Sequence, residues 1–197
     1  MLANLTTPLL GVVATACIGR LGDPALLGGV AVASIVFDCL FWLFGFLRMG
    51  TVAFTAQALG ANDHAEIRAT LFRAILVAIV IGGVLIAVHV PLGNTVFSLM
   101  GGSEPVTNAA RTYFAIRLWS APMALGNYVL LGWFVGQARA RTALALQVLI
   151  NLTNIVMTVW LVLSLHKGIA GAAIAAVIAE TTGFAIGAAL ALRLLGA

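Results

Sequence analysis

The chain has 197 residues, of which 62% are hydrophobic and 8% charged, with a mean hydropathy of +1.14. A water-soluble domain carries about 25% charged residues, so this composition excludes a soluble surface and leaves one membrane domain. The formal charge of +4 comes without a basic patch interleaved with aromatics, which argues against nucleic acid and fits loops facing an anionic leaflet.

A membrane helix needs about 20 apolar residues to cross about 30 Å of hydrocarbon. On that measure the chain divides into six helices, at about 2–19, 25–60, 67–90, 104–137, 142–165 and 169–195. The fold class is an all-α polytopic membrane protein, organised as a single lobe over residues 1–197. The first helix starts at Met1 without a basic lead-in, so a cleaved signal peptide is not expected. Gly22-Asp23-Pro24 is a turn, and Pro24 suits the first turn of the next helix. The second segment, 25–60, would be roughly 54 Å long as one helix; it must tilt, kink or project from the bilayer. Asn62 or Asp63 can cap the third helix, with Glu66 as an acid in its first turn.

Pro91 is expected to stop the third helix. Residues 92–105 read as a loop with room for one short interfacial turn, and Ser103 reads as the N-cap of the fourth helix. That helix is also overlong, with Pro122 in its middle as a kink site. The sixth helix carries Gly168, Ala172, Ala176, Ala179, Gly183 and Gly187, a spacing that permits close helix approach in lipid. Cys17 and Cys39 lie inside apolar segments and read as free thiols.

Lys and Arg counts set orientation. Arg68, Arg73, Arg139, Arg141 and Arg193 flank the breaks after helices two and four and the C-terminus. Arg20, Arg111 and Lys167 belong to the opposite side. Both termini are therefore expected in the cytoplasm of a bacterial inner membrane.

An ionisable residue inside a span costs roughly 2.5–3.5 kcal/mol on insertion scales, so each asks for a partner or a wet cavity. Asp38, Arg48, Arg117 and Glu180 stand out. Arg48 is expected to pair with Glu180 and tie helices two and six together; the alternative is a cavity charge that modulates a proton site. Arg117 has the same two readings, or snorkels. Asp38 is either a neutral buried acid or a proton carrier, and Glu180 is a second candidate for ion coupling. His89 lies near a helix end, where an interfacial role is expected. Asn151, Asn154 and Thr158 share one helix face, as interhelical hydrogen bonds or as a polar stripe along a cavity. Gln57 and Asn127 are similar but isolated. An intramembrane enzyme is not supported: there is no HExxH and no Gly-x-Ser-Gly with a membrane His, and Ser34 and Ser120 have no His in arguable reach. A channel of the paired Asn-Pro-Ala kind is not supported either, since that tripeptide does not occur.

The segment Pro8-Leu-Leu-Gly-Val-Val-Ala-Thr-Ala-Cys-Ile-Gly-Arg-Leu-Gly22 resembles the first helix of multidrug and toxic compound extrusion (MATE) transporters. Leu27-Gly-Gly-Val-Ala-Val32, Phe46-Leu-Arg-Met-Gly50 and Thr55-Ala-Gln-Ala-Leu-Gly-Ala61 are similar to the DinF-like branch. So are Gly101-Gly-Ser-Glu104, Ile116-Arg-Leu-Trp-Ser-Ala-Pro122, Leu131-Gly-Trp133, Asn154-Ile-Val-Met-Thr-Val-Trp160 and Gly171-Ala-Ala-Ile-Ala-Ala-Val-Ile-Ala-Glu180. The resemblance runs along nearly the whole chain in order.

The resemblance implies one lobe of a twelve-helix transporter whose two lobes flank a central cavity. It implies export of amphipathic organic cations or toxic compounds in exchange for protons or sodium ions, with no cofactor and no metal. It implies a partner as well: a second six-helix lobe or another copy of the chain. Two positions depart from the family. Val13-Ala14-Thr15 stands where the family has Val-Asp-Thr, and Thr158 stands one turn after Asn154 where many members have an acid. Neither Ala14 nor Thr158 can titrate, so coupling through these positions is expected to be impaired. The competing expectation is a truncated, split or decayed lobe that does not transport.

Overall fold

A computed structural model describes residues 16–20 and 23–196. Of the first expected helix it describes a short helical turn at 16–19; the rest, Ala14 included, lies outside the described residues. The described chain is helical. In order the helices are α1 (Pro24–Trp42), α2 (Gly45–Gly60), α3 (His64–Ala87), α4 (His89–Leu99), α5 (Glu104–Arg117), α6 (Ala121–Gly136), α7 (Ala140–Val159) and α8 (Gly168–Gly196). Five stretches are long and apolar enough to cross a membrane: Pro24–Gly60, His64–Ala87, Glu104–Gly136, Ala140–Ser164 and Gly168–Gly196.

Local chemistry explains most boundaries. Asp23 caps α1, accepting from the Ala25 N–H at 2.8 Å, and Pro24 takes the first turn, where a missing N–H costs nothing. The overlong second segment breaks at Leu43–Phe44, between α1 and α2. Of the two possible caps for α3, Asp63 does the work, accepting from the Glu66 N–H at 2.9 Å. Asn62 instead adopts a left-handed conformation, φ 56°, and closes the end of α2 while the Asp63 N–H reaches the Ala58 carbonyl at 2.9 Å.

The stretch after Pro91 differs from expectation. It is not a loop with a single turn but the 11-residue helix α4, joined to α3 at Val88. Pro91 falls in the first turn of α4, where it has no helical acceptor to miss. Ser103 sits at the N-cap of α5 but makes no side-chain cap bond; the Thr107 N–H bonds its carbonyl at 2.9 Å. A 3-10 turn, Leu118–Ser120, separates α5 from α6, with Pro122 at the start of α6. Proline cannot donate to the turn before it, and the helix tightens there. The last turn of the Ala140–Ser164 span, Trp160–Ser164, is a π-helix. Cys17 is buried, Cys39 exposed, and both are free.

The Glu104–Gly136 span is the hub. α5 packs on α1 and α8, and α6 packs on α2, α3, α7 and α8. Small residues make these contacts possible. A β-carbon at Gly132 would lie 2.7 Å from the Arg48 carbonyl oxygen, and one at Gly82 would lie 2.5 Å from the Pro122 Cα. The small-residue stripe of α8 behaves alike: a β-carbon at Gly183 would strike Ile150, and one at Gly187 would meet Leu146 and Leu130. At one end of the hub the buried Trp133 indole N–H donates to the Ile67 carbonyl at 3.0 Å. Nearby, Arg68 Nη2 donates to the Leu195 carbonyl at 2.6 Å. The start of α3, the end of α6 and the end of α8 therefore share one end of the bundle.

The two adjacent glycines of α3 provide a matched test. Gly83 has nothing within 4 Å of its missing β-carbon. Gly83→Ala should be neutral or stabilising by up to about 1 kcal/mol through helix propensity. Gly82→Ala should destabilise by about 1–3 kcal/mol, because Pro122 backbone cannot yield. Thermal unfolding of both variants in detergent measures the difference; equal melting temperatures would refute the close packing of α3 on α6.

Candidate functional site

The crossing of α6 and α8 builds the polar centre. Gly126 lets the Phe184 ring pack against α6, since a β-carbon there would lie 2.5 Å from the ring. Gly183 on α8 lies over Asn127, with its absent β-carbon 3.4 Å from the Asn127 amide nitrogen. With the backbones this close, the short Asn127 side chain reaches the neighbouring helix. Its Nδ2 donates to the Glu180 carboxylate, Oε2, at 2.8 Å and to the Glu180 backbone carbonyl at 2.9 Å. Both amide hydrogens are used. Asn127 is buried, and its Oδ1 has no partner.

Arg117, at the end of α5, is held differently. Its guanidinium carbon lies 4.4 Å from the centroid of the Phe37 ring and 5.6 Å from that of Tyr113. Its Nη1 donates to the Tyr113 hydroxyl at 2.8 Å. Two aromatic faces and a phenol thus hold the charge, a cation–π arrangement favoured away from water. The Tyr113-to-Arg117 spacing of four residues places both on one helix face.

The expected Arg48–Glu180 pair does not form. Among the described residues the one ion pair is Arg73–Glu66, at 2.9 Å on the surface. Glu180 faces Asn127 instead, with Arg117 as the cation in its electrostatic reach. Opposite sign alone had suggested the partner. The rotation of α2 on α6 decides otherwise, because Gly132 packs on the backbone of Arg48 and the Arg48 side chain stays exposed. Asp38 is exposed as well. Tyr128, one residue beyond Asn127, lies within electrostatic reach of Glu180, Arg48, Asp38 and Arg117 together.

The structure thus brings Asp38, Arg117, Asn127 and Glu180 into one neighbourhood and adds Phe37, Tyr113 and Tyr128, which the sequence reading missed. The Tyr113/Arg117 spacing was the available signal. Asn127, read as isolated, is the central residue. Asn154 and Thr158 bond along their own helix, Thr158 Oγ1 to Asn154 Oδ1 at 3.4 Å, and Gln147 Nε2 donates to Asn151 Oδ1 at 3.1 Å. Thr158 and Asn151 are buried; Gln57 is exposed on α2, away from these contacts. His89 stands at the α3–α4 joint, its Nδ1 2.6 Å from the Ile86 carbonyl.

The chemistry of the centre follows from what Glu180 lacks. A carboxylate bonded to a fixed arginine is closed to other cations. One held by a neutral amide keeps its capacity to take a proton or meet an incoming cation. Among the described residues no cluster of His, Cys, Asp and Glu could hold a metal ion.

Comparison with known proteins agrees with this architecture. The MatE family profile matches residues 1–160. The DNA damage-inducible protein F of Escherichia coli (strain K12) is 45% identical over 185 residues, which span 94% of this chain and 40% of that protein. Among solved structures, an outward-facing multidrug resistance MATE family transporter of the MOP superfamily superposes with a TM-score of 0.87 at 22% identity, over 94% of this chain and 41% of that one. A MOP superfamily transporter from Pyrococcus furiosus gives 0.86 at 22% identity, with the same coverage. An inward-facing MATE family structure gives 0.84 at 23% identity, over 91% of this chain and 41% of that one. The chain spans about two-fifths of the length of these relatives and matches their N-terminal lobe. By its match over most of its length and its likeness to a DinF protein, the chain belongs to the MatE family of membrane transporters.

Proposed function

We propose that this chain supplies one lobe of an exporter of amphipathic organic cations, exchanged for protons or sodium ions, and that Glu180 is its principal coupling acid. The carrying observation is that Glu180 is bonded by Asn127 rather than by an arginine. The acid is free to exchange its cation, and Arg117 stands in electrostatic reach to make the protonated and ionised states differ in energy. Asp38 is a second acid on the same side. Asn127, Asn151, Asn154 and Thr158 supply polar groups inside the lobe, and Gln57 one on its exposed surface. The lobe fold fits both outward-facing and inward-facing relatives, which supports rigid lobes rocking about a central site. Protonation of the acid would bias one conformation and substrate binding the other.

Ala14 and Thr158 stand where the family carries acids, so in this reading coupling falls to Glu180 or Asp38. This departure also supports a second reading, a lobe that assembles in the membrane without transporting. The partner is a second lobe or another copy of the chain. The arginines gathered at the shared end of α3, α6 and α8 favour that end as the cytoplasmic one, in a bacterial inner membrane. A fluorescent protein fused to the C-terminus should therefore fluoresce, and alkaline phosphatase fused there should be inactive; the reverse result overturns the orientation.

Efflux tests the coupling. Cells expressing the chain with a complementary lobe should export a fluorescent organic cation, and Glu180→Gln should reduce export to background while the protein still folds. Export that survives Glu180→Gln combined with Asp38→Asn removes the membrane carboxylate from the mechanism. No export from any pairing favours the non-transporting reading.

Stability tests the geometry separately. Asn127→Leu should cost about 1–3 kcal/mol, because it leaves a half-buried carboxylate without its donor. In a double-mutant cycle with Glu180→Gln the two changes should couple by about 0.5–3 kcal/mol. Additive losses in unfolding experiments would show that the pair does not interact.

A further inference from the structure

On the outer surface a groove of about 310 Å³ runs between α2 and α3. Phe46, Gly50 and Phe54 form one wall; Thr70, Ala74 and Val77 form the other. Phe46, Phe54 and Val77 are exposed, so the groove opens outward. Its α3 side extends from Glu66 to Val77, about 16 Å of helix. That is half of a hydrocarbon core about 30 Å thick, the depth of one leaflet.

The groove is closed at one end by charge. Arg73 lies two turns inside α3, yet its side chain bends back to the level of Glu66, where Nη1 meets Oε1 at 2.9 Å. This is the snorkelling expected of an arginine that starts within hydrocarbon. The contact uses one nitrogen and one oxygen. Glu66 Oε2 and the remaining guanidinium N–H groups stay available, and the two side chains are 44% and 71% exposed. The mouth therefore offers a cation and an anion side by side. It sits at the end of the bundle that also holds Arg68, whose bond to Leu195 marks that end.

We propose that the groove binds one phospholipid whose headgroup carries a primary ammonium, as in phosphatidylethanolamine. One acyl chain lies along Phe46, Gly50 and Val77, the phosphate meets Arg73, and the ammonium donates to Glu66. A purely anionic lipid satisfies Arg73 but brings its charge against Glu66. A choline headgroup satisfies Arg73 but has no N–H to give Glu66. The bipolar mouth thus selects by headgroup, and the one-leaflet length selects an acyl chain.

Native mass spectrometry of the full chain, released from detergent containing phosphatidylethanolamine, phosphatidylcholine and phosphatidylglycerol with identical acyl chains, tests this. The ethanolamine lipid should be retained about fivefold over each of the others, the ratio that about 1 kcal/mol of exposed polar contact produces. Glu66→Gln should bring ethanolamine retention down to the choline level. Arg73→Gln and Gly50→Leu should lower retention of all three, the second by filling the groove, since Gly50 has only the Phe54 ring edge at 4.0 Å. Equal retention of the three lipids overturns the proposal, as does an ethanolamine preference that persists in Glu66→Gln. Phosphatidylglycerol ranking first overturns it in favour of a plain basic surface. A dimer peak lost in Gly50→Leu overturns it in favour of a second copy filling the groove. The ranking on the unaltered chain decides the matter even where a variant fails to fold.

Discussion

The close approach of helices to the Glu104–Gly136 span is the constraint on which the structure rests. Lipid tails are as apolar as leucine, so burial of apolar surface does not drive these helices together. Contact must come from shape. Gly82 against Pro122 and Gly132 against the Arg48 backbone are sites where a single methyl group would hold two helices apart, and at Gly126 a methyl would displace the Phe184 ring. Each fixes the rotation of a helix about its axis as well as its distance. Rotation in turn decides which side chains meet. Asn127 reaches Glu180 because glycines on both sides of the crossing thin it, and Arg48 fails to reach Glu180 because its own backbone is the contact surface.

The centre separates its charges instead of pairing them. Arg117 rests on Phe37 and Tyr113, Glu180 on Asn127, and the two feel each other without touching. A direct ion pair would be hard to break in a low dielectric. Separated and individually supported charges leave the acid exchangeable while keeping each group's cost of burial partly offset. Tyr128 stands among all four charged groups, so any change at Glu180 alters the field over the whole cluster.

How much of this was legible depended on range. Pro24, Asp63 and Pro122 act on neighbours within four residues, and their roles can be read from local chemistry. The excess length of the 25–60 segment required a break, and it falls beside Gly45, a poor helix former, but Gly28, Gly29 and Gly50 offer the same local signal. Pro91 was misread because proline stops one helix and starts another with equal ease, and only the hinge at Val88 distinguishes the two. The Asn127–Glu180 bond joins residues 53 positions apart. Its existence depends on helix rotation, which a hydrophobic pattern does not encode when the helices are apolar on every side. The pairing of Arg48 with Glu180 failed for the same reason: sign identifies candidates, and geometry selects among them.

The exposed surface of the bundle sorts into two kinds, and the difference bears on what surrounds it. Along α3, Phe72, Leu76, Ile79, Val80 and Val84 are exposed and apolar, suited to lipid. On α1 and α2, Asp38 and Arg48 are exposed within spans. Facing hydrocarbon, each would cost roughly 2.5–3.5 kcal/mol, and the two together reach the lower end of the roughly 5–15 kcal/mol by which domains are stable. That face must therefore meet water or a second protein surface. Tyr128 lies in electrostatic reach of both exposed charges and Arg117 in reach of Asp38, with Glu180 next to these two. The cost of leaving these charges in lipid favours this side as the one on which the proposed cavity would open.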